Sequence, residues 1–283
     1  MSISISNAIA EGAKLLRAAG LSDPRRESGS LLAHAIGRDR TFLIAHFEDQ
    51  PAAEQIETFR SFVSRRAGGE PLQYITGHQE FFKLDFEVTP DVLIPRPETE
   101  LLVETALEYL ADDPEPYFAD IGTGSGCIAI SILCEMANAR AVASDISPAA
   151  LRVAQRNAEH HGVADRLALV ESDGFFALGT NKTFSLIVSN PPYIPKDELK
   201  KLQREVQKEP YAALAAGSDG LSVIRRLLRE APLALRSRGH FVFEIGFAQS
   251  KEIKKLIDAE NWEFLGIQAD LQGIARTVVL QKK

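Results

Sequence analysis

Residues 117–130 read YFADIGTGSGCIAI, and the folding of this stretch decides the architecture around it. Tyr117–Ile121 is a short apolar run of the length of a buried strand. Gly122, Gly124 and Gly126 then break it, and glycine lets a backbone turn sharply and approach a ligand closely. From Cys127 the chain is apolar again and reads as a helix that begins directly after the loop. Strand, glycine loop and helix start in that order open a βαβ unit.

The pattern repeats downstream. Ala141–Ser144 reads as a strand ending at Asp145, and Ser147-Pro148 caps a helix that Gly162 closes. Leu167–Glu171, Phe184–Ser189 and Phe241–Ile245 read as three more strands. Strands separated by helices of this length predict an α/β fold with a mostly parallel sheet. Ligands of such sheets bind beyond the carboxyl ends of the strands. Asp120, Asp145, Asp173 and Asn190 stand at those ends and are expected to converge on one crevice.

Upstream, residues 1–75 read as a small helical domain. Asp23-Pro24 supplies a cap with proline at the first helical position, and Gly37 stops that helix. Ile56, Phe59 and Val63 share one helical face, which Gly68-Gly69 ends. Residues 76–95 change character: Phe81, Phe82, Leu84, Phe86 and Val88 nearly alternate, with Pro90-Asp91 as a turn signal. This predicts a β-hairpin linker. Residues 96–283 form the α/β domain, entered by a helix from Pro97 with Glu98 and Glu100 in its first turn.

Bulk properties exclude several classes. The net charge is −7, which argues against the broad phosphate neutralisation that non-specific nucleic-acid binding needs. Lys196, Lys200, Lys201, Arg204 and Lys208 cluster locally and read as a solvated helix face. No apolar run reaches the roughly 20 residues of a spanning helix. Glu11, Lys14 and Arg17 interrupt the N-terminal stretch, so no signal peptide is expected and the cytoplasm is the expected compartment. Cys127 and Cys134, on one helix and about 10 Å apart, are too distant to bridge. Both are expected to be reduced and buried, and no metal-ligand spacing is present.

The ligand of the glycine loop follows from its frame. In a dinucleotide fingerprint the third glycine would fall on Cys127, so the frame is one residue short. A Gly-Lys-Ser/Thr phosphate loop is also absent. S-adenosylmethionine has a ribose, an adenine and a charged amino-acid tail, and no phosphate. The N–H groups of Gly122, Thr123, Gly124, Ser125 and Gly126, at a helix N-terminus, suit its carboxylate. Asp120 suits its ammonium, Asp145 its ribose hydroxyls, and Asp173 the adenine edge with Phe175 or Phe176 against the ring. A glycine loop alone is an ordinary strand-to-helix turn. Its combination with Asp145 and Asp173 points to this cofactor.

Residues 187–195, IVSNPPYIP, stop a strand at Asn190 and fix the chain with two prolines before Tyr193. Asn-Pro and Pro-Pro are also common turn dipeptides. NPPY after the fourth strand, with DIGTGSG after the first, resembles methyltransferases acting on planar nitrogens. GEPLQYITG at 69–77, LIPRPETE at 93–100, DIGTGSGCIA at 120–129, SNPPYIP at 189–195 and EIG at 244–246 resemble bacterial peptide chain release factor glutamine methyltransferases over nearly the whole chain. That resemblance implies a seven-stranded Rossmann-like S-adenosylmethionine-dependent methyltransferase sheet with a reversed last strand, behind a helical substrate-recognition domain. It also implies a release factor as protein substrate and Arg96 as a substrate contact. Some relatives carry an aromatic residue directly after the third-strand acid, where this chain has Gly174.

An amide nitrogen is a poor nucleophile because its lone pair is delocalised. Asn190 Oδ1 and the Pro191 carbonyl are expected each to accept one N–H of the glutamine amide, with Pro192 stiffening the turn and Tyr193 against the amide plane. Positioning of this kind supplies much of a rate, and the neutral Asn190 buries no extra charge. The sulfonium is itself a good leaving group, so no metal is required. The other enzyme reading is an N-methyltransferase for an exocyclic base amine in rRNA or DNA, since that nitrogen is planar too.

Overall fold

The computed structural model describes residues 3–178 and 183–283. Two compact units emerge, one reaching to His78 and including Gln203–Lys208, the other comprising Gln79–Leu202 and Glu209–Lys283.

The first unit is helical: α1 (Ile5–Ala18), α2 (Pro24–Ile36), α3 (Arg40–Ala45), α4 (Ala53–Ala67) and α5 (Leu72–Thr76). Leu16, Leu31, Leu32, Phe59 and Val63 are buried at its centre. α1 lies close against its neighbours at Gly12, where a Cβ would meet Ser28 Oγ at 2.4 Å and Phe59 Cζ at 2.7 Å. Asp23 precedes α2 as expected but makes no side-chain cap bond. Arg66, buried on α4, pairs with Glu27 and with Glu205, the latter at 2.6 Å. The buried guanidinium thereby ties the returning segment Gln203–Lys208 to the helices.

The second unit begins at Gln79, within a hairpin of β1 (His78–Phe81) and β2 (Leu84–Glu87). Its turn is Phe82-Lys83, with φ of 50° and 63°, rather than the Pro90-Asp91 pair. Positive φ at both central residues is the two-residue turn whose twist matches the strands, and neither residue type announces it.

The elements that follow are α6 (Glu100–Leu110), β3 (Tyr117–Ile121), α7 (Cys127–Glu135), β4 (Arg140–Asp145), α8 (Pro148–His160), β5 (Leu167–Glu171), β6 (Phe184–Ser189), α9 (Tyr211–Leu214), α10 (Ser222–Ala234), β7 (Leu235–Glu244), α11 (Ser250–Leu256), β8 (Trp262–Ala269) and β9 (Ala275–Lys282). Among the described residues these strands form one sheet of seven in the order β5-β4-β3-β6-β7-β9-β8. The first five are mutually parallel, and β9 runs antiparallel to β7 and β8. This is the α/β sheet with a reversed last strand that the sequence implied. β7 starts earlier than Phe241, because Leu235 pairs with Phe184 across an irregularity before the regular ladder begins at His240.

Helices cover both faces, as a parallel sheet requires. The hairpin, α6 and α7 bury Phe81, Phe86, Leu102 and Ile130 on one face. On the other, α10 and α11 bury Ile224, Leu227 and Ile253. Cys127 is buried, whereas Cys134 is exposed, contrary to expectation, because it faces away at the end of α7. Among the described residues no helix is long and apolar enough to cross a membrane.

One buried amide joins three elements. Asn157 on α8 accepts from Glu87 N–H at 2.8 Å and donates to the Glu87 and Ser125 carbonyls at 3.0 and 2.9 Å. The hairpin and the glycine loop are thus held by one side chain. Asn157→Ala removes the side chain shared by two part-buried Glu87 backbone groups and the buried Ser125 carbonyl, and a buried unsatisfied group costs about 1–3 kcal/mol. Urea unfolding followed through Trp262, which is buried in this unit, should show a loss of roughly 2–4 kcal/mol. A loss under about 0.5 kcal/mol, as for a surface substitution, would contradict this.

Candidate active site

The parallel strands end at one edge of the sheet, and a cavity of about 440 Å³ opens there. β3 has β4 on one side and β6 on the other, so the chain order reverses at this point, where α/β sheets bind ligands. Gly122, Gly124, Asp145, Asp173, Gly174, Asn190, Pro191 and Pro192 line the cavity. A volume of this order lies in the range of small-molecule sites.

The glycine loop bounds one wall. Gly122 and Gly124 adopt φ of 77° and 57°, and a Cβ built on either would meet no protein atom within 4 Å. A side chain at these positions would occupy the cavity. At Gly126 the constraint is opposite, since a Cβ would meet Ile130 Cδ1 at 2.8 Å behind the loop. Thr123 and Ser125 are buried and, with Asp120, stand behind the lining.

The loop N–H groups are more committed than the sequence suggested. Gly122 and Thr123 donate to the Ser144 carbonyl at 2.8 and 2.9 Å, and Gly126 donates to the Thr123 carbonyl at 2.9 Å. Gly124 donates to Asp145 Oδ2 at 2.9 Å. These bonds hold the loop's shape, so four of the five expected carboxylate donors are engaged within the protein.

Each acid has a distinct environment. Asp145 also accepts from Ser147 N–H through Oδ1, at 2.9 Å. Burial raises its pKa, opposed by these backbone donors. A carboxylate holding one bond per oxygen keeps lone pairs for further donors. Asp120 is fully buried, and burial pushes it up to about 7 against the hydrogen bond that Thr123 donates. Thr123 Oγ1 donates to Asp120 Oδ2 at 2.6 Å, while Oδ1 has no partner. Asp173 is held below the ordinary carboxylate range by Arg226, whose Nη2 lies 2.6 Å from Oδ1.

The aromatic contacts expected after Asp173 are absent from the cavity. Phe175 is buried in the core with Val142 and Phe184, and Phe176 is 93% exposed. Neither lines the cavity. The apolar walls come instead from Ile146, Tyr211 and Leu227, and Ile146 and Tyr211 are otherwise exposed. At Gly174 φ is +63°, and a Cβ there would meet Glu230 Oε2 at 3.0 Å and Arg226 Nη2 at 3.4 Å. The Asp173–Arg226 pair occupies the space beside it.

Asn190 follows β6. Its Nδ2 donates to Thr99 Oγ1 at 3.1 Å, and Thr99 donates to Glu244 Oε2 at 2.7 Å. Among the described residues neither Asn190 Oδ1 nor the Pro191 carbonyl accepts a hydrogen bond. Glu244, at the end of β7, is fully buried, which pushes its carboxyl up to about 7 against the hydrogen bond from Thr99. Tyr193 approaches the other oxygen of Glu244 at 3.5 Å, and burial raises its pKa too. Gln249 Nε2 donates to the Tyr193 carbonyl at 3.1 Å, and a Cβ at Gly246 would meet Tyr193 Cδ2 at 2.9 Å. The EIG segment therefore seats Tyr193, which does not itself line the cavity.

Arg96 does not line the cavity either. Its guanidinium pairs at 2.5 Å with Glu209, which also accepts from Ile94 N–H at 3.2 Å. The Glu209 side chain is 1% exposed and requires a cation there. Sequence reasoning assigned no role to Thr99, Glu244 or Ile146. Thr99 lies within LIPRPETE and Glu244 within EIG, and Ile146 is an apolar residue between a strand-end acid and a helix cap. Among the described residues no cluster of His, Cys, Asp and Glu could hold a metal ion.

Comparison with known proteins places the chain in a family. Residues 7–77 match the PrmC N-terminal domain, and residues 97–235 the methyltransferase small domain. A release factor glutamine methyltransferase of Moorella thermoacetica is 45% identical over 91% of this chain and 90% of its own. One of Koribacter versatilis is 37% identical over 99% of both chains. This chain belongs to the release factor glutamine methyltransferase family. Solved structures support the fold alone: a methyltransferase from Pyrococcus furiosus matches with TM-score 0.51 at 18% identity, over 77% of this chain and 96% of its own. The hMettl16 catalytic domain, solved with MAT2A 3′UTR hairpin 1, matches with TM-score 0.58 at 15% identity, over 78% and 80%.

Asp120 is a buried acid that holds its proton to higher pH in the folded chain than in the unfolded one. Its pKa stands above the ordinary value of about 3.9, so its favourable contribution is present at low pH and lost as pH rises through about 7. Asn in its place is neutral throughout. Between pH 4 and pH 8 the melting temperature of Asp120→Asn should therefore rise relative to wild type, by on the order of 10 °C. A difference that stays constant with pH would contradict the assignment.

Proposed function

We propose that the protein transfers a methyl group from S-adenosylmethionine to the side-chain amide nitrogen of a glutamine in a peptide chain release factor. The observation that carries this reading is the pair of unengaged acceptors, Asn190 Oδ1 and the Pro191 carbonyl, at the edge of the strand-end cavity in a chain of this family. Two acceptors side by side suit a planar nitrogen bearing two N–H groups.

The residues fit the cofactor. The space over Gly122 and Gly124 is open, Asp145 retains acceptor capacity for ribose hydroxyls, and the orphaned Oδ1 of Asp120 is a buried acceptor suited to an ammonium. Asp173 with Arg226 and the apolar Ile146 bound the side assigned to adenine. When bound, S-adenosylmethionine supplies an electrophilic methyl group whose sulfur leaves as a neutral thioether.

The protein's own part is positioning. Asn190 Oδ1 and the Pro191 carbonyl each accept one N–H, holding the nitrogen with its lone pair toward the incoming methyl. Pro191 and Pro192 keep these acceptors from drifting, and Tyr193 braces the turn. As the N–C bond forms, the S–C bond breaks, and the nitrogen then releases one proton to solvent. The neutral product is side-chain N-methylglutamine.

The glutamine of a Gly-Gly-Gln loop fits physically, because flanking glycines let a loop enter a narrow crevice without side chains in the way. The helical unit carries no cofactor motif and is assigned the second contact with the release factor. Such a substrate implies a cytoplasmic reaction without stable nucleic-acid binding.

Mass spectrometry of purified release factor and of rRNA, each incubated with enzyme and cofactor, tests the reading. The factor's glutamine peptide should gain one CH2, and a factor with glutamate there should gain nothing. Asn190→Ala should lose about a hundredfold or more in kcat, by analogy with deleting one oxyanion-hole donor. A gain on rRNA or DNA with none on the factor would overturn the reading in favour of a base amine. A short Gly-Gly-Gln peptide methylated as efficiently as the whole factor would remove the recognition role of the helical unit.

A further inference from the structure

We propose that Thr99 and Glu244 are positioning residues that set the rotational sense of the Asn190 amide, turning its oxygen rather than its nitrogen toward the substrate. This rests on Asn190 being the acceptor described above.

An asparagine amide is nearly isosteric when rotated by half a turn, and its terminal torsion is broadly two-fold. Rotated, Asn190 would present an NH2 group to the NH2 group of the substrate. Two donors would meet, and the nucleophile would lose one of its two anchors. The side chain alone contains nothing that prevents this.

The chain of bonds behind Asn190 does. Thr99 Oγ1 lies 2.7 Å from Glu244 Oε2 and 3.1 Å from Asn190 Nδ2. A hydroxyl has one proton, and an ionised carboxylate only accepts. The Thr99 proton therefore goes to Glu244, and the Thr99 oxygen offers Asn190 only lone pairs. Only Nδ2 can meet it, so Oδ1 turns to the cavity. Thr99 and Glu244 are 2% and 0% exposed, so water does not replace either partner.

A protonated Glu244 relaxes the rule. A neutral carboxyl can donate to Thr99, which is then free to donate to Asn190 Oδ1, and both amide senses are satisfied. The groups facing Glu244 are Thr99, Tyr193, Glu98 and Arg276. Glu98 favours the proton and Arg276 opposes it, and Arg276 is itself held by Asp270 at 3.1 Å. Burial dominates and brings the transition up to about 7. Turnover should therefore fall as pH drops below neutrality.

The test uses the full chain with Thr99→Val, Thr99→Ser and Glu244→Gln. Thr99→Val should bind S-adenosylhomocysteine as wild type does but lose about 10–100-fold in kcat with KM little changed, the scale of a misplaced reacting group. Thr99→Ser should recover to within a few-fold. Glu244→Gln should lack the acidic limb seen in wild type. The side-chain NH2 of Asn190, read by NMR without substrate, should be protected from exchange in wild type and lose protection in Thr99→Val. Wild-type kcat in Thr99→Val, or an unchanged acidic limb in Glu244→Gln, would overturn the inference. If Thr99→Val does not fold, the Glu244→Gln profile and Thr99→Ser exchange decide it. A wild type inactive on release factor would count against the proposed function, while unprotected Asn190 protons would count against this inference alone.

Discussion

The parallel register of four strands is the constraint on which the site depends. Ile121 pairs with Ser144, which brings Gly122 level with Asp145. Asp120 pairs with Val188, which brings Gly122 level with Asn190. Ser189 pairs with Phe243, which brings Asn190 level with Glu244. The glycine loop, Asp145, Asn190 and Glu244 thus lie in one row across the sheet edge. A slip of one residue in any pair would turn the following side chain to the other face. Ser189 Oγ, donating to the Ile121 carbonyl at 2.6 Å, secures the central pair at this level.

A second demand follows from burial. Asp120 and Glu244 are carboxyls without water, and burial disfavours their charged forms. Asp120 is met by the Thr123 hydroxyl, and Glu244 by the hydroxyls of Thr99 and, at 3.5 Å, Tyr193. Hydroxyls relay hydrogen-bond direction without adding charge, which a lysine or arginine would not do. At Glu209, where the role is structural, the partner is instead the full charge of Arg96.

Much of this was legible in the sequence, for physical reasons. Strand-end acids and glycine loops are local features, so DIGTGSG, Asp145 and NPPY could be read from neighbours in the chain. The strand and helix alternation gave the parallel sheet directly. The last two strands were less legible by pattern, because β8 lies at the sheet edge with much of its length exposed or half-buried. The hairpin turn at Phe82-Lys83 uses residues without turn preference. Arg96 and Glu209 meet across 113 positions, and Asn190 and Thr99 across 91. Such pairs have no periodicity to reveal them. Phe175 looked like an adenine contact by proximity to Asp173, yet its side chain turns inward to the core. The exposed Ile146 takes a cavity wall in its place.

The central claim is that Asn190 Oδ1 and the Pro191 carbonyl hold the glutamine amide. A crystal structure of the protein with S-adenosylhomocysteine and a Gly-Gly-Gln peptide tests it most directly. The account predicts the glutamine nitrogen within about 3.2 Å of both acceptors, on the side of the cavity facing the cofactor sulfur. A glutamine bound elsewhere, or an Asn190 amide with its nitrogen turned to the peptide, would contradict it.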